Sequence, residues 1–208
     1  MKLEKASFAG SSVKLSGRPQ KKLPEFAFIG RSNVGKSSLI NMLCKGAQLQ
    51  TKGNELAKTS ALPGKTVCIN HFLINDSWYI VDMPGYGYAK LGKAQRDALS
   101  KMNNEYLSKS PELANLFVLI DSRHNLQLID LEFLKSVGKA GIPFSIIFTK
   151  ADKLGKNALA KQIESIKSEI LEYREQMPPY FVTSAEQGTG REEVIDYIAE
   201  VLQMIKKS

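Results

Sequence analysis

Cysteine is nearly absent: Cys44 and Cys68 are the only two in 208 residues, and His71 and His124 are the only histidines. With no CxxC spacing and no paired histidines, neither a disulfide framework nor a structural zinc site is expected. The two thiols should be buried, and His71 should be a strand residue with no catalytic role. Long hydrophobic runs are missing too. None reaches the roughly 18 residues of a membrane span, and the N-terminus has no signal-peptide core. A cytoplasmic protein without membrane contact is the expectation. What remains, 43% hydrophobic and 24% charged residues, is ordinary globular composition and excludes a disordered or low-complexity chain. At about 150 residues per domain, the length suggests one large domain.

Acidic residues are scarce in one half only. Residues 1–109 carry 17 basic and 7 acidic side chains, whereas residues 110–208 carry 12 and 14. Of the net charge of +8, residues 1–22 hold +5 and residues 45–65 hold +3. A polyanionic partner would meet these segments first. Residues 1–22 read as a basic arm or edge segment rather than a core element. Residues 45–65 lack periodicity, and a loop that long in a compact domain usually carries function.

Elsewhere short apolar runs alternate with amphipathic stretches, the pattern of βαβ units. Strands are predicted at 26–29, 79–81, 116–120, 144–148 and 180–182. Val67 to Ile74 alternates as a further strand, turned by Asn75-Asp76-Ser77 into an antiparallel hairpin with Trp78 onward. Helical spacing is carried by Ser37 to Cys44; by Ala98, Met102 and Tyr106; by Leu128, Leu131 and Leu134; by Leu159, Ile163, Ile166 and Ile170; and by Val194, Ile198, Val201 and Ile205. The fold class is α/β, with three layers, about six strands in a mostly parallel sheet with one antiparallel strand, and about five helices.

Directly after the first of these strands stands Gly30-Arg31-Ser32-Asn33-Val34-Gly35-Lys36-Ser37, followed by a helical run that opens with Ser38. This is GxxxxGK[ST] in its strand-loop-helix context. The glycines let several N–H groups turn toward one anion, and the helix N-terminus adds its positive end. Lys36 would bridge the outer phosphates, and the Ser37 hydroxyl would ligate Mg²⁺.

Four stretches follow in order. Thr66, in Pro63-Gly64-Lys65-Thr66, could offer its hydroxyl to Mg²⁺ and its N–H to a terminal phosphate. Asp82-Met83-Pro84-Gly85 closes a strand, with a carboxylate near the metal and a glycine amide near the γ-phosphate. Thr149-Lys150-Ala151-Asp152 closes another. The Asp152 carboxylate can accept from N1–H and N2–H₂ of guanine, whereas adenine would leave it unpaired, and sites built this way reject the wrong analogue by about 10⁴. Lys150 would lay its stem along the base. Thr183-Ser184-Ala185 would present the Ala185 N–H to guanine O6. An ATP-dependent small-molecule kinase on the same phosphate loop is opposed by the Thr149 to Asp152 motif.

The ordered set resembles the TrmE-Era-EngA-EngB-septin-like GTPases. Within them GRSNVGKSSLIN, TSALPGKT, DMPGYGYAK and FTKADKL resemble the EngB (YihA/YsxC) family, over about residue 5 to the C-terminus. The resemblance implies a P-loop GTPase domain over residues 23–208. It also implies a GTP/GDP site that includes Val67 and Cys68 beside the residues above, with Ser37, Thr66 and Asp82 toward Mg²⁺. Thr149 stands where Asn is commoner. Lys36, Thr66, Gly85 and Asn33 are the catalytic candidates. Asn33 matches the asparagine with which potassium-activated relatives hold K⁺, in place of an arginine finger; alternatively it braces the loop. Ras-like enzymes place glutamine after DxxG to orient water. Here Tyr86 occupies that place, so intrinsic hydrolysis should be slow and stimulated by a partner or by K⁺. A binding module with negligible hydrolysis is the alternative.

Gly85 to Lys90, then Lys93, Arg96 and Lys101, interleave glycine, aromatic and basic residues suited to an RNA surface. Arg123 and His124 end another strand, either near ligand or as a capped loop. The resemblance implies a monomer that acts on the large ribosomal subunit or its precursor, through rRNA and ribosomal proteins, in ribosome assembly, and that is needed for cell division and septation.

Overall fold

The computed structural model describes residues 1–50, 56–57, 68–87 and 92–207. Gly64, Lys65, Thr66 and Val67, and the Tyr88-Ala89-Lys90 part of the glycine-aromatic segment, lie outside the described residues. In chain order the elements are β1 (Lys5–Ser12), β2 (Glu25–Gly30), α1 (Lys36–Leu43), β3 (Gln48–Gln50), β4 (Ile69–Ile74), β5 (Trp78–Asp82) and α2 (Lys93–Lys109). Then come β6 (Leu113–Asp121), α3 (Leu128–Lys139), β7 (Phe144–Thr149), α4 (Lys156–Leu171), β8 (Tyr180–Val182) and α5 (Arg191–Lys207). They build one sheet in the order β3-β1-β4-β5-β2-β6-β7-β8.

Strands β5, β2, β6, β7 and β8 run parallel, and β4 is antiparallel to both β1 and β5. The β4–β5 hairpin turns through Asn75 and Asp76, both at positive φ, and the Ser77 N–H returns to the Ile74 carbonyl at 3.0 Å. Short polar side chains tolerate that conformation.

Strands β2, β5, β6 and β7 are largely buried on both faces, and successive residues serve opposite layers. Phe26, Phe28, Phe117 and Leu119 pack with Leu39, Ile40 and Leu43 of α1 and with Val194, Ile195 and Ile198 of α5. Ala27, Ile29, Leu116 and Val118 face Tyr106 and Leu107 of α2, Leu134 and Val137 of α3, and Ile163, Ile166 and Ile170 of α4. Three layers follow from this period of two.

Among the described residues the sheet has eight strands rather than about six. The two extra ones, β1 and β3, come from the segments read as arm and loop. Lys5–Ser12 is not a peripheral arm but the second strand from one end, with Leu3 and Ala6 buried. Its sequence KASFAGSS gives little apolar alternation because its pairing to β4 and β3 rests on backbone hydrogen bonds. Three helical stripes also shift. Leu99 rather than Ala98 faces the core of α2, beside a buried Asn103 whose amide donates to the Pro84 carbonyl at 3.0 Å. Leu128 is 78% exposed and Ile205 42% exposed, since each lies at a helix end that overhangs the sheet. Cys44 is buried, but Cys68 is only half-buried.

Below the long loop, Asn41 of α1 grips Leu56 and Ala57. Its Oδ1 accepts from both backbone N–H groups at 3.1 and 2.9 Å, and its Nδ2 donates to the Ala57 carbonyl at 2.8 Å. His71 is fully buried in β4, with Nε2 3.5 Å from Glu25, a buried carboxylate that accepts from the Tyr106 and Ser110 hydroxyls at 2.6 and 2.7 Å.

Phe117 is fully buried and stacks on Phe28 at a centroid distance of 4.8 Å. Phe117→Ala should therefore lower stability by about 3–5 kcal/mol, read from urea unfolding followed by far-UV circular dichroism.

Candidate nucleotide-binding site

Loops at the C-terminal ends of β2, β5, β6, β7 and β8 meet at one edge of the sheet, where open α/β folds place ligands. The first runs from Gly30 to the start of α1. A Cβ at Gly30 would lie 2.9 Å from the Leu119 carbonyl and from Val34 Cγ1, so only glycine allows the loop this close to β6. Asn33 and Gly35 both have positive φ, 62° and 104°. Left-handed turns of this kind draw successive N–H groups toward a common centre. The N-terminus of α1 carries no acidic residue in its first turn and no side-chain cap. The result is a concave cluster of backbone donors suited to an anion.

Lys36 projects from the first turn of α1 and pairs with the Asp82 carboxylate at the end of β5, which also accepts from Asn70 at 3.4 Å. Burial pulls the Lys36 ammonium down to about 8. Ser37 follows, half-buried on the same turn.

The end of β7 is strapped to this loop twice. Thr149 Oγ1 donates to the Val34 carbonyl at 2.7 Å, and Lys150 Nζ donates to the Asn33 carbonyl at 2.6 Å. Threonine in place of the commoner asparagine is thereby explained, since its hydroxyl makes the bond to the phosphate loop. Lys150 is also held by Asp121 at 2.9 Å, and Arg123 grips that carboxylate through two nitrogens at 2.9 and 2.8 Å. Burial pushes the Asp121 carboxyl up, but hydrogen bonds from Arg123 and Lys150 outweigh it and hold the group well below the usual range. Ala151 N–H donates to the Thr183 carbonyl at 3.1 Å, which joins the β7 and β8 loops. Asp152 accepts from the Ser184 hydroxyl at 2.6 Å and pairs with Lys153 at 2.9 Å, and those donors keep its carboxyl below the ordinary value. Behind it, Gly190 lies so near the Val182 carbonyl that a Cβ would approach to 2.3 Å.

After Asp82 the chain stays pinned. Met83 N–H donates to the Phe28 carbonyl at 3.0 Å, and Tyr86 N–H to the Gly30 carbonyl at 3.2 Å. The Tyr86 ring does not face the phosphate loop. It stacks on Phe133 of α3 with centroids 4.5 Å apart, and its hydroxyl donates to Asp130 at 2.9 Å. Burial first, then the Asp130 carboxylate, raise this phenol well above its usual range. The Arg31 side chain also turns to α3, with Nε 3.1 Å from Asp130 and Nη1 2.7 Å from Gln127 Oε1. Only the Arg31 backbone is left to line the loop.

The structure thus gathers Gly30 to Ser38, Asp82 to Gly85, Thr149 to Asp152 and Thr183 to Ala185 at one edge. Ser32, Asn33 and Ser38 are exposed on the phosphate loop and α1; the Asn33 carbonyl, not its side chain, carries the brace to Lys150. Cys68 stands just before β4, with Sγ 3.4 Å from Asn70 Oδ1. The capped-loop reading fits Arg123, whose backbone N–H and guanidinium both donate to Asp121 at the end of β6. An acidic residue at a strand's C-terminal end with a basic residue two positions later was the available signal. Asp130 and Asn103 gave none, because each reads as one more polar position on an amphipathic helix.

A strand, a glycine loop and an uncapped helix, strapped to a carboxylate-bearing loop, define a nucleotide-binding domain of the P-loop class. The family model for the 50S ribosome-binding GTPase matches residues 25–150. The probable GTP-binding protein EngB of Porphyromonas gingivalis is 53% identical over 203 residues, covering 98% of each chain. Its counterpart in Bacteroides thetaiotaomicron is 50% identical over 208 residues, covering 100% of each. The chain belongs to the EngB family of P-loop GTPases. A crystal structure of a probable GTP-binding protein engB superposes with a TM-score of 0.61 at 24% identity, covering 86% of this chain and 99% of that one, and shares the fold.

Thr149→Val keeps the shape and deletes the hydroxyl, leaving the buried Val34 carbonyl without that donor. Nucleotide affinity should fall about tenfold, measured by titration with a fluorescent GDP analogue, whereas Thr149→Asn should restore most of it.

Proposed function

We propose that this protein is a Mg²⁺-dependent GTPase switch that acts on the large ribosomal subunit or its precursor in the cytoplasm. Asp152 carries the reading. An ionised carboxylate, fixed by Ser184 and Lys153 and strapped through Thr149 and Lys150 to the phosphate loop, is complementary to the two N–H donors of guanine and not to adenine. Adenine offers neither donor, so with it the carboxylate forgoes both base hydrogen bonds and keeps only Ser184 and Lys153, which disfavours adenine.

In this mechanism the Gly35 to Ser37 amides and the Lys36 ammonium hold the phosphates, so Lys36 exchanges part of its pairing with Asp82 for phosphate oxygens. The Ala185 N–H meets guanine O6, and the Gly85 and Thr66 amides meet the γ-phosphate. Ser37, Thr66 and Asp82 supply oxygen donors of the kind a hard cation takes. Among the described residues no three His, Cys, Asp or Glu side chains gather for a metal, and Mg²⁺ needs no such cage where substrate phosphates complete its shell. When bound it neutralises charge between the outer phosphates. Water is the nucleophile. Because Tyr86 is committed to α3, the protein presents no glutamine amide to orient that water, and intrinsic turnover is slow. The same observation favours a second reading, a nucleotide-controlled RNA or ribosome binder with negligible hydrolysis.

The ribosomal assignment is supported by the description of the matching family and by the basic charge of residues 1–22 and 45–65. Family resemblance extends it to ribosome assembly, and through assembly to cell division and septation. The protein acts as a monomer. Among the described residues no helix is long and apolar enough to cross a membrane, in keeping with a cytoplasmic partner. Asn33 would hold K⁺, and the ion would supply positive charge in place of an arginine finger, so hydrolysis would be faster with it.

Binding of labelled GDP and ADP tests the base assignment. Wild type should prefer GDP by about 10⁴, and Asp152→Asn should lose that preference; indifference of wild type to the base overturns the reading. Single-turnover GTP hydrolysis should accelerate with large ribosomal subunits and in K⁺ relative to Na⁺. No hydrolysis under any of these conditions would leave the binding-module reading.

A further inference from the structure

Gly85 sits between two anchors on different helices. On one side the Pro84 carbonyl accepts from the buried Asn103 amide of α2 at 3.0 Å. On the other Tyr86 is fixed by its N–H to the Gly30 carbonyl, by its ring on Phe133 and by its hydroxyl on Asp130. Asp130 is 1% exposed, and its two oxygens are divided. Oδ1 takes the Tyr86 hydroxyl; Oδ2 takes Arg31 Nε at 3.1 Å and the Gln127 N–H at 3.4 Å. One carboxylate on α3 therefore ties the residue after Gly85 to the second residue of the phosphate loop. The exit of the chain is narrow as well: a Cβ on Gly87, at φ 72°, would stand 3.2 Å from Ile129.

We propose that Asp130 is a positioning residue for the reaction: by holding Tyr86 and Arg31 at once, it sets the Gly85 amide at a fixed distance from the phosphate loop, where it reads a γ-phosphate. This deepens the GTPase reading above and rests on it. The linkage is selective. GDP has no γ-phosphate for Gly85 to meet, so loosening the anchor weakens GTP and spares GDP. Charge reinforces the arrangement, because a carboxylate this buried needs both donors. Withdrawing either leaves the other to compensate a desolvated charge.

Tyr86→Phe keeps the ring on Phe133 and removes only the hydroxyl. Asp130→Asn keeps an acceptor for Tyr86 and withdraws the charge opposite Arg31. Binding of GDP and of the non-hydrolysable analogue GppNHp would be measured for the full chain in Mg²⁺, with thermal unfolding alongside. The expected result is GDP affinity within about twofold of wild type and GppNHp affinity lowered about tenfold in both variants. An unchanged GppNHp-to-GDP ratio overturns the proposal. So does a parallel loss of both nucleotides, the signature of a merely structural role. If Asp130→Asn fails to fold, Tyr86→Phe alone decides. Failure of the underlying GTP-binding reading is distinguishable, since wild type itself would then not bind GppNHp.

Discussion

Two hydrogen bonds, from Thr149 and Lys150 to the carbonyls of Val34 and Asn33, are the constraint on which the rest of the site depends. The phosphate loop turns its N–H groups inward, and its carbonyls consequently point outward. Of those carbonyls Val34's is buried, and left without a donor it would cost about 1–3 kcal/mol; Asn33's lies at the exposed rim of the loop and takes the second donor. The end of β7 supplies both donors. The requirement that satisfies the loop also fixes the distance between the anion cradle and the Asp152 carboxylate. One backbone conformation thus dictates where the second half of the site must stand.

Around this strap, buried charges are placed in small closed sets. Asp121 answers Lys150 and Arg123, and Asp130 answers Arg31 and Tyr86. Each set joins two or three elements, and each would leave a desolvated charge if opened. Such groups specify geometry more than they stabilise the fold.

Much of this was legible in the sequence, and the reasons are physical. Strands β2, β5, β6 and β7 in the parallel half are largely buried on both faces and so appear as dense apolar runs. The phosphate loop and the Thr149 to Asp152 segment are legible because glycine, lysine and a strand-end carboxylate have few other reasons to occur at those spacings. Strand β1 was hidden for the opposite reason. KASFAGSS pairs through its backbone, and only Ala6 and Ser12 along it are buried, so its side chains carry little pattern. Tyr86 was legible as a missing glutamine but not as a ring docked on α3, because its partners Phe133 and Asp130 lie more than forty positions away. The true face of α2, through Leu99, Asn103 and Tyr106, is hard to read because the buried Asn103 interrupts its apolar stripe.

The sheet is terminated at both sides by its shortest members, β3 and β8, each of three residues. Outermost strands expose unpaired N–H and C=O groups that can template association with another chain. Among the described residues each outermost strand contributes three residues of such backbone, and on one side β1 runs on past β3 from Phe8 to Ser12. An interior this rich in aromatic and β-branched residues would be hazardous if a long strand lay open. Among the described residues the sheet tapers on both sides, so the strands that carry that interior, β2, β5, β6 and β7, all lie between paired neighbours.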